Sequence, residues 1–107
     1  MLEIKKESDT TYTFRLQSES GQTLLTSVPF KNREEIDNTI AKLKILIGQS
    51  SVFERKTDYN GKFLFVMKNS EGKTIGNSML YSSEAGMENG IKNLKTSISL
   101  LPDAIGL

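Results

Sequence analysis

Two rhythms of apolar residues run along this chain, and they occur twice in the same order. Tyr12, Phe14 and Leu16 alternate with Thr13, Arg15 and Gln17, a period of two that predicts a strand with one buried face. Ile36, Ile40, Leu43 and Ile47 then recur at spacings of four, three and four, the stripe of a helix lying on a sheet. Phe63, Phe65 and Met67 restore the strand pattern 51 residues later, and Met87, Ile91, Leu94 and Ile98 restore the helical one. When residues 2–45 are laid without a gap on 53–96, ten of 44 positions are identical, including Glu3/Glu54, Lys5/Lys56, Gly21/Gly72, Ser27/Ser78 and Lys44/Lys95. Self-similarity at a fixed period is the mark of a repeated structural unit.

The punctuation between these rhythms predicts three strands and a helix per unit. Asp58-Tyr59-Asn60-Gly61 precedes the aromatic strand of the second copy, and its Asn-Gly pair predicts a tight hairpin with both central residues at positive φ. Ser18-Glu19-Ser20-Gly21 and Asn69-Ser70-Glu71-Gly72 predict loops of three to five residues closed by a left-handed glycine. In the third strand Leu24, Val28 and Phe30 share parity, as do Ile75, Met79 and Tyr81, which places Thr26 and Asn77 on the inward row. Asn32 with Glu35 predicts a capping-box start for the first helix, Ser83 caps the second, and Gly48 can close the first. Gly86 and Gly90 lie inside the second helix, where each costs about 1 kcal/mol relative to Ala. A close approach of helix and strand is the expected compensation.

The resulting fold class is α+β: two tandem β-β-β-α repeats, about 2–48 and 53–98, forming one antiparallel-rich sheet with two helices on one face. An apolar tail, 99–107, follows. Half of 107 residues makes only a marginal core, so a single domain is expected. Composition then removes functions. Fourteen Lys and Arg oppose 13 Asp and Glu, with seven against seven in residues 1–51, so electrostatic capture of nucleic acid or of an acidic membrane is not indicated. No apolar run approaches the roughly 20 residues of a membrane helix, and a cytoplasmic location is the default expectation. Cys and His are both absent, which removes thiol chemistry, the usual neutral-pH base and the commonest metal ligand. No catalytic residue, metal or cofactor is expected.

The second copy carries a series of short motifs: Asn60-Gly61-Lys62-Phe63-Leu64-Phe65, Gly72-Lys73-Thr74-Ile75-Gly76-Asn77-Ser78, Tyr81-Ser82-Ser83 and Gly90-Ile91-Lys92-Asn93-Leu94-Lys95. In these the chain resembles the YegP-like family of small uncharacterised bacterial proteins. The resemblance implies two β-β-β-α units interlocked into one sheet, with helices on a face and exchanged between units. It implies no biochemical role. The first copy departs from the pattern at Thr39 (Gly90 in the second), at Asp9-Thr10 (Asn60-Gly61) and at Leu25 (Gly76).

Candidate sites fall into four groups. Leu64 and Val66 stand where the first copy has Thr13 and Arg15, so the second strand of that copy is apolar on both faces. With Ile45, Leu46 and the tail residues Leu100, Leu101 and Ile105, they supply more apolar surface than one small core uses, and Leu64, Val66, Leu100, Leu101 and Ile105 are the candidate interface. A homodimer or another protein is the expected partner. Ser27, Ser78, Lys44 and Lys95 are the candidate polar binding residues, because a duplicated binder keeps its contacts in both copies. The stronger reading needs no ligand: a strand-end Ser satisfies backbone groups and a Lys near a helix end complements the dipole. An alternative function is weak nucleic-acid binding through Lys5, Lys56, Lys44 and Lys95. Carboxylate catalysis at Glu54 and Asp58 with Tyr59 ranks last, since nothing fixes a pair around a cleft. Gly72-Lys73-Thr74 lacks the P-loop spacing, and the strand aromatics read as core in preference to a base-stacking platform.

Overall fold

The computed structural model describes residues 1–102. In chain order the elements are β1 (Leu2–Ser8), β2 (Thr11–Gln17), β3 (Thr23–Ser27), α1 (Arg33–Leu46), a 3₁₀ turn (Ser50–Val52), β4 (Phe53–Thr57), β5 (Phe63–Lys68), β6 (Thr74–Asn77) and α2 (Glu84–Ser99). The six strands form one sheet in the order β1-β2-β3-β6-β5-β4, and every neighbouring pair is antiparallel. The second half of the chain thus mirrors the first across the β3–β6 seam, where Thr26 pairs with Asn77, the residue 51 positions on. The seam puts an approximate two-fold axis through the middle of the sheet.

One core serves both halves. Phe14 and Leu16 from β2, Phe65 and Met67 from β5, and the buried stripes of α1 and α2 belong to a single apolar cluster. Ile36, Ile40 and Leu43 are buried as their spacing predicts, as are Met87, Ile91, Leu94 and Ile98. Helix α2 packs across β2 and β3 of the first half as well as on β5, while α1 lies against β2. Leu46, counted in sequence as spare apolar surface, is buried in this core, whereas Ile45 remains 69% exposed.

The third strands depart from simple alternation. A register shift in each pairing lets Leu16 oppose Leu25 while Gln17 opposes Thr23, and Met67 oppose Gly76 while Lys68 opposes Thr74. The extra residue of a bulge reverses the parity beyond it. Leu24 and Leu25 are therefore both buried, and Thr26 and Asn77 turn outward, opposite to the row that their spacing predicts. Met79, which shares parity with Ile75 and Tyr81 in sequence, lies past the end of β6 and is 42% exposed.

The turns share one design. Asp58 N–H bonds to Lys62 O at 2.9 Å, Gly61 N–H bonds to Asp58 O at 3.1 Å, and Gly61 has φ +81°. Among the described residues only glycines have positive φ, so Asn60 does not enter the left-handed region. The loop is a longer one closed by a left-handed Gly, with Asp58 Oδ1 accepting from the N–H of Asn60 and Lys62, each at 2.9 Å. The 18–22 and 69–73 loops repeat the arrangement, as their composition predicts. At the helix starts Asn32 accepts from Glu35 N–H at 2.9 Å and Ser83 from Gly86 N–H at 3.0 Å. The Glu35 carboxylate reaches back to Lys31 N–H, one residue earlier than a capping box requires. Helix α1 ends at Ile47 in the right-handed region, without a left-handed Gly48.

Candidate functional site

The repeated serines complete the sheet. Ser27 Oγ accepts from Phe14 N–H at 2.8 Å and donates to Val28 O at 2.9 Å. Ser78 Oγ accepts from Phe65 N–H at 2.9 Å and donates to Met79 O at 2.7 Å. Each hydroxyl supplies the acceptor that a backbone carbonyl would otherwise provide, so neither oxygen faces an open site. Lys95 sits with Nζ 5.5 Å from the centre of the Phe53 ring, a cation–π distance. Lys44 lies in the last turn of α1, where its charge complements the helix dipole.

The helix-free face is polar, with one apolar island. A single register row crosses it: Glu3, Arg15, Thr26, Asn77, Val66, Glu54. Arg15 pairs with Glu3 at 2.6 Å, and Glu54 accepts from Lys68 at 2.9 Å and lies 3.1 Å from Lys56. Those lysines hold the Glu54 carboxyl below the usual range, Lys68 contributing most. Val66 is only 4% exposed and Leu64 is half-buried. The Lys56–Glu54–Lys68 cluster flanks this island. Lys5 and Lys56 stand on opposite edge strands, and Lys95 lies on the helix side, so the four repeated lysines do not converge. Of the carboxylate candidates, Asp58 is engaged in its turn and Tyr59 is 98% exposed. Among the described residues no three Asp or Glu side chains gather as metal ligands would, and no helix is long and apolar enough to cross a membrane.

A groove of about 740 Å³ lies where the C-terminal end of α2 meets the β2–β3 loop of the other half. Leu2, Leu100, Leu101 and Pro102 give it apolar walls, and Ser18, Ser20, Gln22, Asn93, Thr96 and Ser97 give it neutral donors and acceptors. Leu101 is buried and Leu100 is 66% exposed at the rim; Ile105 lies outside the described residues. Ser97 Oγ donates to Gln17 O at 3.0 Å and fixes the floor. Glu19 is the one charged side chain in the lining, and the Met1 ammonium also lines the groove, donating to Gln17 O at 2.6 Å and to Ser97 Oγ at 3.3 Å; the apolar walls with their neutral hydrogen-bonding groups suit an apolar segment. A smaller groove of about 200 Å³ occupies the corresponding place between α1 and the 69–73 loop. There Leu46 stands at the position of Ser97, and its buried side chain takes space that the serine leaves open.

Sequence reasoning named Leu100 and Leu101 but not this groove, because its two walls come from residues about 80 apart. The disagreement of Ser97 with Leu46 was the available signal.

Comparison with known proteins gives a consistent outcome. The family described as "Domain of unknown function (DUF1508)" matches residues 58–99. UPF0339 protein YegP of Escherichia coli is 33% identical over 95 residues, 89% of this chain and 86% of the relative. A UPF0339 protein of Pseudomonas aeruginosa, PA0329, is 34% identical over 92 residues, 86% and 84% of the two chains. The solution structure of E. coli YegP, described as a protein of unknown function, has a TM-score of 0.84 at 32% identity, covering 92% of this chain and 84% of that one. That of UPF0339 protein SO3888 from Shewanella oneidensis has a TM-score of 0.85 at 27% identity, covering 91% and 82%.

Proposed function

This chain belongs to the UPF0339 family, and we propose that within it the chain is a small non-enzymatic protein-interaction module built from two tandem β-β-β-α repeats. The mirrored strand order, the pairing of Thr26 with Asn77 and the matched bonds of Ser27 and Ser78 support the repeat. The groove between α2 and the Ser18–Gln22 loop carries the functional reading. It is apolar enough to bury a hydrophobic side chain, and its hydroxyl and amide groups can meet a peptide backbone. Its occupant is an apolar peptide segment of another protein. Ser27, Ser78, Lys44 and Lys95 serve the fold in this reading, and Leu100 and Leu101 serve the contact.

Selection of binders from a random peptide library on the immobilised protein tests the proposal. Peptides rich in Leu, Ile or Phe are expected, with binding weakened at least tenfold by Ser97→Leu, which fills the floor. Binders that ignore Ser97→Leu and Leu100→Lys, in variants shown to be folded, would sink the reading.

A further inference from the structure

The free edge of β4 combines two observations that the groove does not use. Phe63 N–H bonds to Tyr81 O at 2.8 Å, and Phe65 exchanges bonds with Ser78 on the same side, so these residues turn their backbone groups toward β6. Leu64 and Val66 therefore face β4, opposite Lys56 and Glu54. By the alternation of an antiparallel ladder, the N–H and C=O groups of Phe53, Arg55 and Thr57 point away from the sheet. β4 is the last strand in the order and pairs with β5 without a register shift. The other edge, β1, is interrupted between Lys6 and Ser8, a device that blunts an edge.

We propose that two copies of this chain join edge to edge through antiparallel pairing of β4 with the partner's β4, centred on Arg55. This register aligns all three outward-facing residues, Phe53 with the partner's Thr57 and Arg55 with the partner's Arg55, for about six backbone hydrogen bonds. The same register sets Glu54 against the partner's Lys56, and Lys56 against the partner's Glu54, at positions where side chains approach most closely. The two arginines meet on the helix side, where each is already neutralised by Glu88. Arg55 Nη2 donates to Glu88 Oε1 at 3.0 Å, and Nε is bonded to Oε2. The contact is isologous and closes on itself, yielding a continuous twelve-stranded sheet and no filament. It uses a different surface from the groove, and neither result decides the other.

Analytical ultracentrifugation of the full chain from micromolar to millimolar concentration tests the contact. The parent is expected to dimerise. Glu54→Lys and Lys56→Glu each set like charges together twice, and each alone weakens the dimer by about tenfold or more. An equal mixture of the two variants restores both complementary pairs and associates as a heterodimer. Amide exchange at Phe53, Arg55 and Thr57 slows as the parent dimerises. A parent that stays monomeric at millimolar concentration overturns the proposal. So does a mixture of folded variants that fails to associate, or a dimer sensitive to Lys5→Glu and indifferent to Lys56→Glu.

Discussion

The two halves of the molecule solve one packing problem with opposite choices at three places. At the seam, Leu25 fills the core side of the axis while its counterpart Gly76 carries no side chain. A Cβ at Gly76 would lie 2.6 Å from Thr26 O and 3.1 Å from Leu25 Cγ. Beneath the helices, Tyr81 and Gly90 fit together where the first half has Phe30 and Thr39. A Cβ at Gly90 would meet Tyr81 Oη at 2.2 Å, whereas one at Gly86 would stand 3.1 Å from the capping Ser83 Oγ and 3.7 Å from the Tyr81 ring. At the helix ends, Leu46 fills one groove while Ser97 leaves the other open. What both halves retain, such as the serine bonds and the stacking of Phe14 on Phe30 and of Phe65 on Tyr81, builds the shared fold. A symmetric pair of leucines could not share the axis. Two sequences joined in one chain can differ there, and the same freedom leaves one groove open.

The seam is where the comparison breaks most easily. Gly76→Leu is expected to cost about 3 kcal/mol or more, the upper part of the overpacking range, read from urea unfolding. The exchange Leu25→Gly with Gly76→Leu removes the Leu25 contact but leaves Thr26 O and Ser27 Cα in place, so it should recover only a small part of that loss. An exchange that restores the parent stability would show that the Leu25 side chain, and not the backbone of the seam, excludes a side chain at Gly76.

A smaller loss is expected at the helix–strand contact. Gly90→Ala gains about 1 kcal/mol of helix propensity but must displace the Tyr81 ring, and it should destabilise by about 1 kcal/mol net. The same Ala substitution at Gly86 presses on the capping Ser83 Oγ at 3.1 Å, which offsets the propensity gain, and should be close to neutral. Tyr81 Oη is buried without a hydrogen-bond partner among the described groups, so Tyr81→Phe should cost nothing or stabilise slightly.

Burial also raises the Tyr81 pKa. The unfolded chain then loses the phenolic proton at a lower pH than the folded one. Stability is full below the ordinary tyrosine value of about 10 and falls as pH rises through the raised value. Tyr81→Phe should flatten the alkaline limb of a stability–pH curve; an unchanged limb would contradict the assignment.

Much of the fold was legible because it rests on local periodicity. The stripe from Met87 to Ile98, the inward row of β2 and β5 and the caps at Asn32 and Ser83 depend on neighbours within a few residues. The bulges at Leu24–Leu25 and Ile75–Gly76 were not legible, since each is decided by pairing with a different strand. The same holds for Asn60, where two residues suggested a tight turn and Asp58 drew the chain into a longer loop. Leu46 shows the limit for burial: three residues after Leu43 it fits a helical stripe as well as Ile47, the residue the spacing pattern favours, and α1 buries Leu46 beside the groove while Ile47 is only partly buried. The site was the least legible part, because the α2 end and the Ser18–Gln22 loop meet only after the helix crosses to the other half.

The claim that function resides where the halves differ is tested most directly by amide chemical-shift mapping with a selected apolar peptide. Shifts should concentrate in residues 18–22 and 93–101, with little change in 38–46 and 69–75, and Leu46→Ser should bring the second set into play. Equal shifts in both grooves of the parent protein, or shifts confined to neither, would contradict it.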